Sequence, residues 1–229
     1  IREWFKESQS QIPEYVDETI YYLGSSYAFI WQNIKQDIFF NGNFSSKNNE
    51  FDQYLKRFSY TFKNQVNELG GYIILKNKKI ILASDIGSSP SKMFSNNYQA
   101  GALSFEIFSN DKKLISNAGY YLDKNSKLNK ISRGTALHNA LTIEDYSSCN
   151  FIKDKSSLIV DRGLKVSKKN IVFENNFWKI SGSHDGYLSK FGANYEREIE
   201  FYPEQMKFIG YDKLFRKAPD KDIKFDIRF

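Results

Sequence analysis

Hydrophobic residues in the first seventy positions recur with the spacing of amphipathic helices. Between Pro13 and Asn33, apolar residues lie three or four positions apart, as one face of a helix requires: Val16, Ile20, Leu23, Tyr27 and Ile30. A second helical stretch is predicted from Asn49 to Leu69, and Gly70-Gly71 is a typical helix stop. The beginning of the chain is therefore predicted to be helical.

After Gly71 the pattern changes to short apolar runs separated by turn residues. Tyr72–Lys76 and Lys79–Ala83 flank Asn77-Lys78, which predicts a tight hairpin. Three more pairs of runs follow, at 103–108 with 114–117, 171–174 with 177–183, and 196–202 with 206–211. Because no helical pattern separates these strands, we expect a mainly β fold, an antiparallel β-sandwich preceded by a short N-terminal helical segment.

Composition narrows the classes of partner. The 229 residues suit one main β domain with a smaller helical piece, and 17% aromatic content favours strands and flat ligand surfaces. A net charge of +6 suits an anionic partner, namely an acidic polysaccharide, a nucleic acid or a membrane surface. The lysines are scattered rather than striped, which disfavours nucleic acid. No apolar run could span a bilayer, and the single Cys149 excludes an intramolecular disulfide and a multi-cysteine zinc site.

Both ends of the chain are interpreted as artificial. The sequence begins at Ile1 rather than at Met, and the alternating residues Lys224–Phe229 stop in mid-pattern, as a severed strand would. The missing leader peptide therefore says nothing about export.

The run Arg133-Gly-Thr-Ala-Leu-His138-Asn139 carries the sharpest chemical signal. His138 lies between a turn-like segment and the apolar residues 140–143, at the mouth of a predicted strand, where binding sites are common. Arg133 offers a cationic fork for a carboxylate or sulfate, and Asn139 adds a neutral amide. The alternative is a structural histidine beside a surface arginine.

The second histidine, His184, lies in Ser183-His-Asp-Gly-Tyr187. Tyr187 could stack on a sugar ring, although Asp185-Gly186 explains most of the motif as an ordinary turn. Metal-site spacings such as His-x-His, His-Glu-x-x-His, paired cysteines and an EF-hand loop do not occur in the sequence.

Several blocks, taken in order, resemble the C-terminal part of the heparinase II/III-like polysaccharide lyases. Phe39–Gly42 and Ser84–Gly87 resemble the start of that domain. The more specific blocks are Ala100–Glu106, Leu114–Gly119, Arg133–Asn139, and Ser183–Tyr187 leading to Tyr195-Glu-Arg197.

This resemblance implies an α/α toroid followed by a β-sandwich, with a cleft between them in which acidic polysaccharides are cleaved by β-elimination. Residues 1–36 would be the last helices of the toroid, and residues 37–229 a C-terminally truncated sandwich whose partner is its own N-terminal toroid. The general base and some of the neutralising residues of such lyases come from the toroid, outside this chain. A periplasmic or secreted location is expected from the family.

The resemblance also implies a metal position that this sequence does not match. Metal-bearing relatives bind zinc through a His-x-His-x-Asp segment, an Asp and the His of the Thr-x-x-His-Asn block. Here Asn97, Gln99 and Gly101 replace the first three, Asn117 replaces the fourth, and His138 alone matches. Because amides are weak zinc ligands, we expect no tightly bound zinc and no other cofactor.

Two functions remain open from the sequence. In the first, the protein is a lyase in which His138 orients or neutralises a uronate and Arg133 pairs with its acidic group. Further substrate-binding candidates are Asn139, Tyr98, Gln99, Asn117, His184, Tyr187 and Arg197. In the second, the chain is a non-catalytic carbohydrate-binding or structural β-sandwich that has lost the lyase metal site.

Overall fold

The computed structural model of the protein describes residues 1–41, 48–63, 66–121, 123, 125–154, 157–216 and 222–229. Gly42, which ends the first block of the family resemblance, lies outside these ranges. The chain forms two compact units. One comprises Ile1–Asp37 and Ser45–Gly70, and the other comprises Ile38–Phe44 and Gly71–Phe229. Residues 45–70, which follow the expected boundary at residue 36, are thus grouped with the helices.

The first unit is built from three helices. They are α1 (Arg2–Glu7), α2 (Glu14–Ile34) and α3 (Asn48–Arg57), followed by the short strand β1 (Glu68–Leu69). Pro13 precedes α2 in an extended conformation and two acidic residues occupy its first turn, both of which favour a helix start. The carboxylate of Asp52 on α3 accepts hydrogen bonds from Tyr27 and Trp31 on α2, at 2.6 and 2.9 Å.

The helix predicted from Asn49 to Leu69 is shorter than expected. It ends at Arg57, and Ser59 then adopts a left-handed conformation with φ of 56°. The amide of Tyr60 donates to the carbonyl of Leu55 at 2.9 Å, which closes the helix end as a C-terminal capping turn does. Residues 64 and 65 of the predicted stretch lie outside the described residues.

The second unit contains two main antiparallel sheets. In the first, β2 (Tyr72–Lys76), β3 (Ile80–Asp85), β4 (Phe105–Ser109) and β5 (Lys112–Ile115) are neighbours in chain order. The hairpin predicted at Asn77-Lys78 is confirmed, since β2 pairs with β3 across it. The second sheet has the order β12-β11-β10-β9. Its strands are β9 (Val166–Phe173), β10 (Trp178–His184), β11 (Ala193–Tyr202) and β12 (Lys207–Arg216).

Shorter elements connect the two sheets. Strand β6 (Leu141–Ile143) pairs with β13 (Phe225–Ile227), and β7 (Asn150–Asp154) pairs with β8 (Ser157–Arg162). Helices α4 (Lys127–Ser132) and α5 (Leu188–Phe191) are short, and single 3₁₀ turns occur at Lys92–Phe94 and Thr135–Leu137.

One hydrophobic core holds the two sheets together. In β11, buried and half-buried residues alternate along all ten positions, so one face of the strand is buried and the other borders solvent. The buried face joins residues of the first sheet in a single cluster that includes Leu75, Leu82, Ile107, Trp178, Ile180, Tyr195 and Phe201. Two antiparallel sheets that bury their inner faces against each other form a β-sandwich, which confirms the predicted fold class.

Among the described residues, no helix is both long enough and apolar enough to cross a bilayer.

Candidate functional site

The predicted site residues lie in three parts of the second unit: the loop between β3 and β4, the segment between β5 and β6 that contains His138, and strands β10 and β11 with the loop between them. The 3₁₀ turn before His138 is fixed by Thr135, whose hydroxyl donates to the carbonyl of Ala100 at 2.7 Å and accepts from the amide of Ser148 at 2.9 Å. The His138 ring packs against the backbone of Gly101, where an added Cβ would lie 2.8 Å from Nδ1. Glycine is required at position 101 because the imidazole occupies the space of a side chain.

His138 is fully buried without hydrogen bonds to its ring. It is 1% exposed, and neither Nδ1 nor Nε2 has a hydrogen-bond partner in the described part of the chain. Burial lowers the pKa of His138 to about 4, so the imidazole is neutral at pH 7. A buried donor or acceptor without a partner costs about 1–3 kcal/mol. The imidazole is therefore not held at this position by hydrogen bonds that stabilise the fold.

Arg133 is equally buried but fully hydrogen bonded. Its guanidinium donates to the carbonyls of Tyr98, Leu158 and Ser95 at 2.8, 2.6 and 2.7 Å, and its cation lies 4.6 Å from the centre of the Phe151 ring. These contacts differ from the predicted ion pair with a sugar carboxylate. They give Arg133 a structural role, in which it connects the loop before residue 100 to β8.

Asn139 and Asn117 extend the hydrogen bonding at the start of β4. The side chain of Asn139 binds both backbone groups of Phe105, accepting from its amide at 2.9 Å and donating to its carbonyl at 2.5 Å. The amide of Asn139 donates to Oδ1 of Asn117 at 3.1 Å. Nδ2 of Asn117 has no hydrogen-bond partner among the described residues. Both side chains are therefore buried, and that of Asn139 binds the backbone of Phe105 as a neighbouring strand would.

Arg197 connects the second sheet to this loop. It forms an ion pair with Asp212 at 2.7 Å and donates to the carbonyls of Leu103 and Asn139. Leu103 has a φ of 65°, a left-handed conformation that is rare for a branched residue. Arg197, predicted as a substrate contact, is 3% exposed and links the two sheets.

His184 and Tyr187 also point inward. Nδ1 of His184 accepts from the amide of Gly186 at 3.2 Å, and burial lowers the pKa of His184 to about 4. The hydroxyl of Tyr187 donates to the carbonyl of Leu141 at 2.5 Å, and its ring is 1% exposed. A ring buried to this extent offers no face to a sugar, so the observed position differs from the predicted stacking role.

Tyr98 and Gln99 lie in a buried polar network that the sequence did not reveal. Tyr98 is 7% exposed, so its ring does not form the predicted stacking surface, and the amide of Gln99 donates to Oδ1 of Asn41 at 2.7 Å. The side chain of Asn41 donates to Tyr72 and to Asp85 at 2.9 and 3.1 Å. Burial raises the pKa of Asp85 to about 7.

A second buried carboxylate, that of Glu106, was also missed. Its Oε1 accepts from the amides of Phe39 and Asn117 at 3.0 and 3.1 Å, and Lys113 lies 3.3 Å from Oε2. Burial raises the pKa of Glu106. Asp85 and Glu106 both lie within the sequence blocks of the family resemblance. The available signal was an acidic residue at the end of a mainly apolar strand for Asp85, and one between two apolar residues for Glu106.

The residues at the family's metal position do not fit zinc. His138 could offer one imidazole nitrogen, but Oδ1 of Asn117 already accepts from the amide of Asn139. Across the described ranges, no group of three or more His, Cys, Asp or Glu side chains is arranged to hold a metal ion. One imidazole with amide oxygens is a weak donor set for zinc, which prefers thiolate, imidazole and carboxylate.

Comparison with known structures identifies the fold. A heparan sulfate lyase, HepC from Pedobacter heparinus, is 16% identical and matches 80% of this chain with a TM-score of 0.56. A heparinase III is 19% identical over 88% of this chain, with a TM-score of 0.55. Another, the BT4657 gene product with methylated lysines, is 15% identical over 90%, with a TM-score of 0.66. The match spans 30%, 34% and 33% of these three chains, respectively.

Comparison at the sequence level agrees with the fold. Among curated proteins, no sequence matches the chain. The family model described as "Heparinase II/III-like, C-terminal" matches residues 66–229, well over half of the chain. The chain therefore belongs to the heparinase II/III-like polysaccharide lyase family, and residues 66–229 correspond to its C-terminal domain.

Proposed function

We propose that the protein acts on an acidic, uronic acid-containing polysaccharide by β-elimination, and that this chain is the part other than the α toroid. The observation that carries this proposal is the family match over residues 66–229. The net charge of +6 agrees with an anionic substrate. The printed names of the similar structures, a heparan sulfate lyase and heparinase III, suggest a glycosaminoglycan as the first substrate to test.

β-Elimination needs a group that withdraws charge from the uronate carboxylate, a base that takes the neighbouring proton, and an acid for the leaving oxygen. In this chain, we assign His138 to binding the substrate, where it would orient or neutralise the uronate. Its neutral imidazole keeps a donor and an acceptor without internal partners, so a hydrogen bond to a uronate would break no bond within the protein. Because the ring is 1% exposed, this contact requires the loops around His138 to open towards the substrate. The proton transfer itself is assigned to residues of the toroid.

The test measures unsaturated products, which absorb in the ultraviolet, from the full-length protein with a panel of uronic acid polymers. We expect product from at least one polymer, and we expect His138→Gln to reduce kcat/KM at least tenfold. His184→Gln is the matched control, because it also replaces a buried histidine but one with an internal hydrogen bond. An absence of product from every polymer would refute the lyase proposal.

A second candidate function is a non-catalytic carbohydrate-binding or structural β-sandwich. Two observations favour it: each of the three guanidinium nitrogens of Arg133 donates to a backbone carbonyl, and amides replace zinc ligands of metal-bearing relatives. Binding of a polysaccharide by the full-length protein without formation of unsaturated product would support this function over the first.

We also propose that the sandwich binds no zinc. After dialysis against a chelator and then against zinc, the purified protein should contain far less than one zinc per chain, and its unfolding temperature should not change. One firmly bound zinc per chain, accompanied by a higher unfolding temperature, would contradict this proposal.

A further inference from the structure

A groove opens on the outer face of the second sheet, on the side opposite the core. Its volume is about 150 Å³, roughly ten times what one water molecule needs. The residues that line it are Lys165, Ser167, Lys168, Ser183, Asp185, Asn194 and Phe215. They come from all four strands of the second sheet and the loops at their ends, so a sheet surface that would otherwise be flat is concave here.

An irregularity in β9 produces this shape. The pairing of β9 with β10 shifts between Ser181 and Ser183, which face Asn170 and Ser167, so β9 carries one additional residue. Lys168 lies within this bulge with a left-handed φ of 51°. β-Bulges bend a strand and redirect its side chains, and they are enriched next to binding sites.

The floor of the groove presents polar groups that the protein does not use. Ser183 is 5% exposed and points away from the core, because its neighbours Gly182 and His184 face inward. No hydrogen bond is formed by the side chains of Ser183 and Asn194 within the described residues. A hydroxyl and an amide at the base of an open groove therefore remain available to a ligand that carries hydroxyl groups.

The walls combine an aromatic face with positive charge. Phe215 is 49% exposed, and the ammonium of Lys168 lies 5.6 Å from the centre of its ring. Lys165 is exposed at the other side of the groove. Two carboxylates lie nearby. That of Asp185 already accepts from the amide of Lys165 at 2.7 Å, and that of Glu196 is 3.9 Å from the ammonium of Lys168. The residues that line the groove thus carry two positive charges and one negative charge.

We propose that this groove is a binding site for a sugar unit with an anionic substituent, such as a uronate or a sulfated sugar, and that it is separate from the buried His138 cluster. The sugar would pack on Phe215, its anionic group would pair with Lys165 and Lys168, and its hydroxyl groups would bind Ser183 and Asn194. The choice of an acidic polysaccharide as the source of this unit rests on the proposed function. A site of this kind would hold the polymer on the outer surface of the sandwich.

Calorimetric binding of a heparin tetrasaccharide to the protein tests this proposal. We expect a double variant, Lys165→Gln with Lys168→Gln, and the single variant Phe215→Ala each to weaken binding by about tenfold or more. The matched control is Lys127→Gln with Lys130→Gln on α4, which removes the same charge from exposed positions and should change affinity less than about twofold. Thermal unfolding checks that every variant is folded.

Several outcomes would overturn the site. Equal weakening in the control and in the groove variants would show that the attraction is a general effect of charge. Unchanged affinity in Phe215→Ala would exclude stacking of the sugar on this ring, and competition by neutral maltotetraose would exclude selection for an anionic sugar. A lack of tetrasaccharide binding to the unaltered protein would exclude the site as a whole.

The outcome is separable from that of the proposed function. Binding that depends on the groove, in a protein that forms no unsaturated product, would support the site and refute the lyase. Product formation by the full-length protein, with groove variants that bind as the unaltered protein does, would support the lyase and refute the groove site.

Discussion

His138 and Arg133 are equally buried, yet their polar atoms have opposite environments. Each of the three guanidinium nitrogens of Arg133 donates to a backbone carbonyl, whereas both ring nitrogens of His138 lack a hydrogen bond within the described residues. A residue in the first situation supports the fold, and one in the second is not explained by stability. The sequence motif that contains both therefore combines a structural residue with a candidate functional one.

Replacing Arg133 should destabilise the protein strongly. Arg133→Met keeps much of the side-chain volume but removes a charged donor from each of three backbone carbonyls, so we expect a loss of about 3–5 kcal/mol in the free energy of unfolding. Urea denaturation measures this loss. Arg162→Met, at an exposed position of β8, is the control and should change stability by less than about 0.5 kcal/mol. Similar losses in the two variants would contradict the structural role.

The contact between Gly101 and His138 can be measured with a double-mutant cycle. Gly101→Ala places a methyl group 2.8 Å from Nδ1, so we expect a loss of about 2 kcal/mol in the presence of the imidazole. In a His138→Ala background the same substitution should cost much less, which gives a coupling energy above about 1 kcal/mol. An equal cost in both backgrounds would show that the ring does not occupy this space.

At this scale, residue identity could be predicted from the sequence better than orientation. The motif around His138 could be selected, but Tyr98 and Tyr187 were expected to offer stacking faces and are 7% and 1% exposed. A single aromatic residue next to turn residues gives no periodicity from which to decide whether it faces inward. Asp85 was missed for a related reason, because its partner Asn41 lies 44 positions away in the sequence.

Among the elements, the strands of the two large sheets were the easiest to predict. Short apolar runs on either side of a turn signal define β2 and β3, and alternation along β11 followed by a turn signal defines β11 and β12, in each case without help from distant contacts. The region from α4 to β8 was not predicted in the same way. Its short elements are held by long-range contacts, such as those from Thr135 to Ala100 and from Arg133 to Leu158. Local sequence patterns do not indicate such contacts.

The hairpin between β2 and β3 offers a test of the turn chemistry. Oδ1 of Asn77 accepts from the amides of Lys79 and Ile80 at 2.9 and 2.8 Å. Asn77→Ala removes both hydrogen bonds, so we expect a loss of about 1 kcal/mol in the free energy of unfolding. Lys78→Ala in the same turn is the control and should have almost no effect. The turn would not depend on the side chain of Asn77 if the two variants were equally stable.

At the scale of the whole molecule, buried titratable groups make stability depend on pH in opposite directions. The pKa values of His138 and His184 are lowered to about 4, so the unfolded chain binds protons first and stability falls as the pH decreases from about 6.5 to 4. The pKa of Asp85 is raised to about 7. Its contribution is therefore present below about pH 4 and is lost as the pH rises towards 7.

Asp85→Asn should separate the two effects. Asparagine cannot ionise, so the stability of the variant relative to the unaltered protein should increase by a few kcal/mol between pH 5 and pH 8. Chemical denaturation at both pH values measures this difference. Asp154→Asn, at an exposed position of β7, should show no such change. A stability difference for Asp85→Asn that does not vary with pH would place the ionisation of Asp85 outside this range.

The pairing of β6 with β13 has a consequence for how the protein folds. Leu141, three residues after His138, is matched with Ile227, so this ladder forms between segments more than eighty residues apart in the chain. Contacts between such distant segments form late in folding, because the chain between them loses conformational entropy before the strand pairing can stabilise the protein. On a ribosome, the strand that follows His138 would wait for all four strands of the second sheet to be synthesised before it met its partner.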